Sequence, residues 1–346
     1  MSSRHYGTDL PGLDLRDLTA WLSGAHPDLI AGELRGRLIT GGRSNLTYEI
    51  TDGSVVFVLR RPPLGHVLRT AHDMAREHRV ISALGDTGVP VPDTYLLCVD
   101  DEIIGAPFYL MEFVAGAPYR TRDELTALGP DRTRAISTGL IDTLAALHSI
   151  DPVSVGLGDF GRPDGFLERQ VRRWKQQLDA SHSRELPAAA ELHRLLAAHR
   201  TADSAPRIVH GDYRLDNVLI DARDRVAAVI DWEMATLGDP LTDIGLLVLY
   251  QRLGALGIPV ATDVVTAPGF LGETAILERY SALTGRDLTQ IGFYLALASF
   301  KLAVIIEGIH YRYLQGQTVG SGFESVGEVV EPLLSVGIAA VKEIGK

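Results

Sequence analysis

Residues 207–233 carry four side chains whose chemistry could serve catalysis. They are His210, Asp212, Asn217 and Asp231, and they lie at the edges of two short runs rich in valine and isoleucine. Runs of this kind, bounded by Asp and Gly, are typical of short strands. Asn217 follows Asp212 by five residues, and Asp231 ends the second run.

These oxygen-bearing groups suit phosphoryl transfer, in which a protein positions an acceptor hydroxyl and clamps the phosphates through metal ions. Asp212 would orient the hydroxyl and take its proton. Mg²⁺ prefers oxygen ligands, and Asn217 and Asp231 would supply an amide oxygen and a second carboxylate. The spacing therefore predicts Asp212 as the catalytic residue, with Asn217 and Asp231 as the metal ligands.

The pattern H-G-D-x-R-x-x-N-x-L at 210–219, followed by I-D-W-E at 230–233, resembles the aminoglycoside phosphotransferase family, which shares the protein-kinase fold. Its Asp-to-Asn spacing is that of the kinase loop H-R-D-x-x-x-x-N, and D-W-E stands where kinases have D-F-G. The chain is similar in particular to kinase-like domains found alone or fused to acyl-CoA dehydrogenases. The resemblance implies ATP, or GTP in its place, and Mg²⁺ as cofactors.

The fold implied by this resemblance is an α+β, protein-kinase-like two-lobed fold with a small β-rich N-lobe and a larger helical C-lobe. A chain of 346 residues is long enough for two lobes. We expect an N-terminal helical lead-in at 1–33, an N-lobe at 34–114 and a C-lobe at 115–346.

Composition narrows the possible partners and the compartment. The formal charge of −11 disfavours broad nucleic-acid binding, which needs a basic surface. The single cysteine, Cys98, excludes an internal disulfide and fits a reducing compartment. The first residues lack an apolar signal core, and Lys301 and Glu307 interrupt the apolar stretch at 293–309. We expect a cytoplasmic protein with a small-molecule hydroxyl substrate and no nucleic-acid or membrane partner, whereas its oligomeric state stays open.

The sequence at 34–50 predicts two strands joined by a glycine-bearing turn, which could lay backbone N–H groups over phosphates. Ser44 and Asn45 are the predicted phosphate neighbours. The turn is not the G-x-G-x-x-G of protein kinases, so an ordinary hairpin turn is the alternative.

The strand predicted at 54–60 ends on Arg60, at the point where kinases carry a lysine that grips the phosphates. Glu77, in a helix predicted at 70–84, resembles the glutamate that pairs with that lysine and would orient Arg60. Arginine binds phosphate through a bulkier, permanently charged fork. The alternatives are a solvent-facing basic pair with Arg61, a surface charge at Glu77, and a protein that has lost phosphoryl transfer.

Four further residues are predicted to contact the nucleotide, because the kinase-like fold implied by the resemblance would place them around the adenine. Glu112 and Val114 belong to the hinge, where backbone groups would bond the adenine edge. Leu219 and Ile230 flank the metal ligands and are expected beneath the adenine ring.

In the C-lobe, Asp243 resembles the buried carboxylate that steadies the catalytic loop of this fold, and we expect it to be structural. His210 is expected to support the same loop. Lys301 and Glu307 lie on a largely apolar predicted helix, so they reach solvent, pair when buried, or face a cleft. We favour solvent or buried pairing, and if they face a cleft they are substrate-side candidates.

The leading hypothesis is an ATP-dependent phosphotransferase that acts on a hydroxyl of a small molecule. Aminoglycosides, hydroxyacyl thioesters and other alcohols all remain open as substrates. The competing hypothesis is a nucleotide-binding pseudokinase module in which Arg60 marks the loss of transfer. A dinucleotide-binding enzyme is disfavoured because no G-x-G-x-x-G follows an early strand.

Overall fold

The computed structural model describes residues 6–39, 45–64, 73–199, 204–258, 263–317 and 323–344. The chain divides into two compact units. The first is formed by Met1–Gly116 together with Ala227–Glu233, and the second by Ala117–Val226 together with Met234–Lys346.

The first unit is built on a five-stranded antiparallel sheet with the strand order β3-β4-β5-β7-β6. A short β1–β2 hairpin precedes the sheet. The strands are Asp9–Leu10 (β1), Leu13–Asp14 (β2), Arg35–Leu38 (β3), Leu46–Thr51 (β4), Val56–Arg61 (β5), Thr94–Cys98 (β6) and Phe108–Glu112 (β7). The strands predicted at 34–50 and 54–60 are therefore confirmed.

Two helices accompany this sheet, Leu15–Ala25 (α1) and Met74–Leu84 (α2). Asp14 caps α1 by accepting from the N–H groups of Arg16 and Asp17, and Asp73 caps α2 in the same way. Leucines of α1 pack with the apolar residues of the sheet in one core. The helix predicted at 70–84 is confirmed from Met74, and residues 65–72 lie outside the described part of the chain.

The second unit is mainly helical. Its helices are Arg122–Leu128 (α3), Pro130–Ser149 (α4), Phe166–Ser181 (α5), Pro187–Ala198 (α6), Leu241–Ala255 (α7), Glu273–Thr284 (α8), Ile291–Leu314 (α9) and Val330–Glu343 (α10). The largely apolar helix predicted to carry Lys301 and Glu307 is α9.

Short strands precede and follow the H-G-D motif along the chain. They are Arg207–Val209 (β8), Val218–Ile220 (β9), Val226–Val229 (β10) and Thr236–Gly238 (β11). β8 pairs with β11 in antiparallel register, Ile208 opposite Leu237. The sequence did not reveal β11, because three residues around one leucine are too short for a period-two pattern.

Helix α9 is long and apolar enough to cross a bilayer by length and composition alone, but 78% of its most apolar window is buried within the protein. It packs against α5, α6, α7 and α10. Helix α9 is therefore a central core helix of the second unit.

Candidate active site

The H-G-D loop begins where β8 ends, and a buried carboxylate holds its backbone. Asp243, in the first turn of α7, accepts hydrogen bonds from the N–H groups of His210 and Gly211, each at 2.8 Å. Gly211 has φ +84°, and a Cβ atom there would lie 2.7 Å from the carbonyl oxygen of Met234. Both observations require glycine at this position.

Asp212 is restrained on one carboxylate oxygen. The side-chain amide of Asn217 donates to Oδ2 and to the main-chain carbonyl of Asp212, each at 2.9 Å. Arg214 Nε lies 3.6 Å from the same Oδ2. No described residue of the second unit donates to Oδ1, and the Asp212 side chain is 33% exposed. Oδ1 of Asp212 can therefore accept a hydrogen bond from a bound molecule.

Asn217 is buried, and both of its bonds to Asp212 use the amide nitrogen. Its amide oxygen therefore remains available as a ligand for a hard cation. The structure thus brings Asp212 and Asn217 together in the second unit, as their spacing in the sequence indicated.

A buried chain of hydrogen bonds supports Asp243 from behind. His148 Nε2 lies 3.2 Å from Asp243 Oδ2, and its Nδ1 lies 2.7 Å from the hydroxyl of Tyr280. Burial lowers the pKa of His148 and outweighs the neighbouring carboxylate. Burial alone would raise the pKa of Asp243, but His148 and the loop N–H groups bring it below its ordinary value.

The expectation that Asp243 steadies the loop is borne out by these bonds. His148 and Tyr280 were not predicted. A histidine on the buried face of the amphipathic helix α4 was the available signal, because a buried imidazole usually has partners for both nitrogens.

The two charged residues predicted on α9 have different surroundings. Glu307 is fully buried and accepts bonds from the N–H and hydroxyl of Ser183 and from Arg184. Buried pairing is therefore the correct interpretation for Glu307. Lys301 instead donates to the carbonyl of Gly211 at 2.7 Å, so it belongs to the surroundings of the catalytic loop.

In the first unit, the guanidinium of Arg60 joins two carboxylates. Nε lies 3.0 Å from Glu77 Oε2, and Nη2 lies 2.5 Å from Asp231 Oδ1. Glu233 lies 3.8 Å from the same Nη2. Burial alone would lower the pKa of Arg60, but Glu77 and the other acidic groups raise it overall, so the guanidinium stays charged. The predicted pairing of Glu77 with Arg60 is confirmed.

Asp231 follows β10 and has φ +67°, a left-handed conformation that is uncommon outside glycine. Its side chain is 28% exposed. Strained backbone of this kind is frequent where a side chain must be held in a fixed direction for function. Asp231 is thus aimed by its backbone as well as by Arg60.

Asn45 is buried, and its amide donates to Glu233 Oε2 at 3.0 Å. This places Asn45 beside the D-W-E segment, a contact that spans 188 positions of the sequence and could not be foreseen from it. Ser44, the other predicted phosphate neighbour, lies outside the described residues.

The predicted adenine neighbours fall in both units. In the first unit, Glu112 ends β7, and its N–H donates to the carbonyl of Asp93 at 2.8 Å. That N–H is therefore not available to a nucleotide. Val114 and Ile230 of the same unit are half-buried, as is Leu219 of the second unit.

Asn217 and Asp231 each carry an oxygen of the kind that Mg²⁺ takes as a ligand. No group of three or more His, Cys, Asp or Glu side chains able to hold a metal occurs among the described residues. Mg²⁺ in phosphotransferases is usually bound by one or two protein oxygens, completed by phosphates and water. Asn217 in the second unit and Asp231 in the first offer such oxygens.

Comparison with known proteins places these residues in a family context. The model of the APH family, described as a phosphotransferase enzyme family, matches residues 35–280. Acyl-CoA dehydrogenase family member 11 from Gallus gallus is 35% identical over 327 residues, which cover 92% of this chain and 42% of that protein. The chain thus spans less than half the length of this relative.

Solved structures support the same fold. A crystal structure of a candidate aminoglycoside phosphotransferase from Ralstonia eutropha JMP134 is 33% identical with a TM-score of 0.82, covering 96% of this chain and 100% of that one. Aminoglycoside phosphotransferase APH(4)-Ia, in complex with AMP-PNP and hygromycin B, is 15% identical with a TM-score of 0.59, covering 95% and 99%. The kinase-like fold with a β-rich N-terminal part and a helical C-terminal part is therefore confirmed.

Proposed function

Because the chain belongs to the APH phosphotransferase family, we propose that it transfers the γ-phosphoryl group of ATP to a hydroxyl group of a small molecule. The observation that carries this proposal is the asymmetric restraint of Asp212. Asn217 and Arg214 contact Oδ2 of its carboxylate, no described residue of the second unit donates to Oδ1, and the side chain is 33% exposed. A carboxylate held in this way can orient an acceptor hydroxyl and receive its proton.

The transfer itself needs little further from the protein. As the acceptor oxygen bonds to the γ-phosphorus, its proton passes to Asp212 Oδ1 and the β–γ bridging oxygen leaves with ADP. Arg60 would neutralise phosphate charge, and Glu77 holds its guanidinium in place. Asn217 and Asp231 would hold Mg²⁺, which stabilises charge on the phosphate oxygens when bound.

Three cations of the second unit lie near Asp212. Arg214 lies 3.6 Å from the carboxylate, Lys301 binds the preceding residue, and Arg173 lies within electrostatic range of Lys301. Within the second unit these three cations lie near three carboxylates, Asp212, Asp216 and Asp243, and Asp216 is paired to Arg214 at 2.8 Å. Because these charges balance, they favour neither a polycation such as an aminoglycoside nor an anionic alcohol such as a hydroxyacyl-CoA thioester, and both classes belong in the acceptor panel.

A catalytically impaired nucleotide-binding module is the second candidate, and one observation favours it. Arg60 binds Asp231 Oδ1 at 2.5 Å, and this is an oxygen that a metal ion would use. If that contact persists with nucleotide bound, the protein would bind ATP without efficient transfer.

ADP release decides between the two candidates. The protein would be incubated with Mg²⁺-ATP and a panel of hydroxy acids, hydroxyacyl-CoA thioesters, neutral alcohols and aminoglycosides. Transfer predicts acceptor-dependent ADP release that Asp212→Asn reduces by about 10²-fold or more. ATP binding without acceptor-dependent release across the panel supports the impaired module, and failure to bind ATP refutes both.

A further inference from the structure

Lys301 is the one lysine of α9; it is half-buried, and its neighbours along the helix, Phe300, Ala303 and Val304, are buried. Its ammonium group lies 5.8 Å from the ring centre of Trp174 on α5, a distance typical of a cation–π contact. Partial burial of an ammonium group has a desolvation cost, which a specific hydrogen-bond partner offsets. The partner is a backbone carbonyl of the H-G-D loop.

That carbonyl belongs to the peptide unit that joins Gly211 to Asp212. Lys301 Nζ binds its oxygen at 2.7 Å. The N–H of the same planar unit, which belongs to Asp212, donates to His210 Nδ1 at 3.3 Å. Because a peptide unit is rigid, two bonds at its opposite ends fix its rotation and therefore the direction in which the Asp212 side chain leaves the backbone.

The other restraints on the loop act on different groups. Asp243 holds the N–H of the preceding peptide, through Gly211 N. Asn217 holds the carboxylate and the carbonyl of Asp212 itself. Among the described residues of the second unit, only Lys301 restrains the Gly211 carbonyl through a side chain.

We propose that Lys301 is a positioning residue for phosphoryl transfer, which fixes the Gly211–Asp212 peptide so that the Asp212 carboxylate points at the acceptor hydroxyl. The inference rests on the proposed function, because it assigns Lys301 to the same reaction. Lys301 acts through the loop and touches no reacting atom, so its removal should lower kcat and leave nucleotide binding intact.

The charge of Lys301 is also sensitive to its surroundings. Burial lowers its pKa, while Asp212 and Asp243 act to raise it and Arg173 acts to lower it. Deprotonation would remove the charge that makes the bond to the carbonyl strong. Turnover should therefore decline on the alkaline side as Lys301 loses its proton, and an arginine in its place would stay charged.

The test compares Lys301→Met, which keeps an apolar stem over Trp174, with Lys301→Arg, which keeps a charged donor. Lys175→Met, which removes a half-buried α5 lysine paired to Asp179, is the matched charge control. Lys301→Met should lower kcat by roughly 10²-fold, as a misplaced catalytic group does, with KM for ATP within about twofold of wild type.

Three further results are expected of the same variants. Lys301→Arg should recover most of kcat and retain it at alkaline pH. Adding Lys301→Met to Asp212→Asn should cause little further loss, because both changes disable the same group. Lys175→Met should behave as wild type.

Hydrogen exchange of the peptide covering residues 210–216 supplies a readout that needs no turnover. Lys301→Met should speed exchange there, and Lys301→Arg and Lys175→Met should not. The proposal is overturned if Lys301→Met keeps wild-type kcat or unchanged exchange. It is equally overturned if the Met and Arg variants lose kcat and melting temperature to the same degree. A wild-type protein without transfer would refute the proposed function, and the exchange result would still decide whether Lys301 holds the loop.

Discussion

The side-chain amide of Asn217 donates to both the carboxylate and the main-chain carbonyl of Asp212, at 2.9 Å in each case. One amide group therefore restrains the proposed catalytic residue and offers its remaining oxygen to a cation. The two roles can be separated by substitution, because an aspartate at this position keeps an oxygen ligand and loses the donor.

Asn217→Ala should lose both roles, with kcat reduced by roughly 10²-fold and a higher Mg²⁺ requirement. Asn217→Asp should keep the Mg²⁺ requirement near wild type while kcat falls, because a like charge now faces Asp212. Initial rates of ADP release over a Mg²⁺ titration would measure both effects. Equal Mg²⁺ requirements for the two variants would argue against Asn217 as a metal ligand.

Arg60→Met should destabilise the first unit, because Glu77, whose side chain is 1% exposed, would lose its partner. Breaking a buried ion pair on one side costs about 3 kcal/mol or more. Urea denaturation would measure the loss, and the double variant Arg60→Met/Glu77→Leu should regain much of it.

Arg60→Lys addresses nucleotide binding at the same position. A lysine there should preserve ATP binding and turnover, because it keeps a cation beside Glu77 and the phosphates. Arg60→Met should weaken ATP binding in a direct titration. Undiminished ATP affinity in Arg60→Met would remove Arg60 from the nucleotide site.

Stability should fall as the pH drops below about 6.5, the ordinary pKa of histidine. Burial lowers the pKa of His148 in the folded protein, so between the two pKa values the unfolded chain binds more protons. The free energy of unfolding then rises with pH, by at most about 1.4 kcal/mol per pH unit from this residue. Urea denaturation at pH 5.5 and 7.5 would show the slope, and His148→Gln should flatten it. An unchanged slope in that variant would contradict a buried neutral imidazole.

Gly211→Ala should reduce both stability and kcat. Any L-residue at φ +84° is strained, and its Cβ would also collide with the carbonyl of Met234. Gly285, which has φ +67° and open space around it, provides the control. Gly285→Ala should cost about 1–2 kcal/mol from backbone strain alone and leave kcat unchanged. Similar kcat values for the two variants would show that the collision at Gly211 does not displace Asp212.

The sequence predicted that Asp212 and Asp231 follow short strands, because each comes after a run rich in valine and isoleucine. The pairing of Arg60 with Glu77 was implied by the resemblance to kinases, in which a strand lysine pairs with a helix glutamate. The sequence did not predict the contact of Asn45 with Glu233 or the role of Lys301, because neither has a local pattern. Such partners are set by tertiary packing between segments far apart in the chain.

The first unit is discontinuous, and this has a consequence for its biosynthesis. Val229 N–H donates to the carbonyl of Pro90, and Asp231 binds Arg60, so residues of Ala227–Glu233 complete a structure that otherwise ends at Gly116. A ribosome adds roughly 5–20 residues per second. Asp231, the partner that Arg60 and Glu77 have in the complete unit, is therefore translated on the order of ten seconds after Gly116.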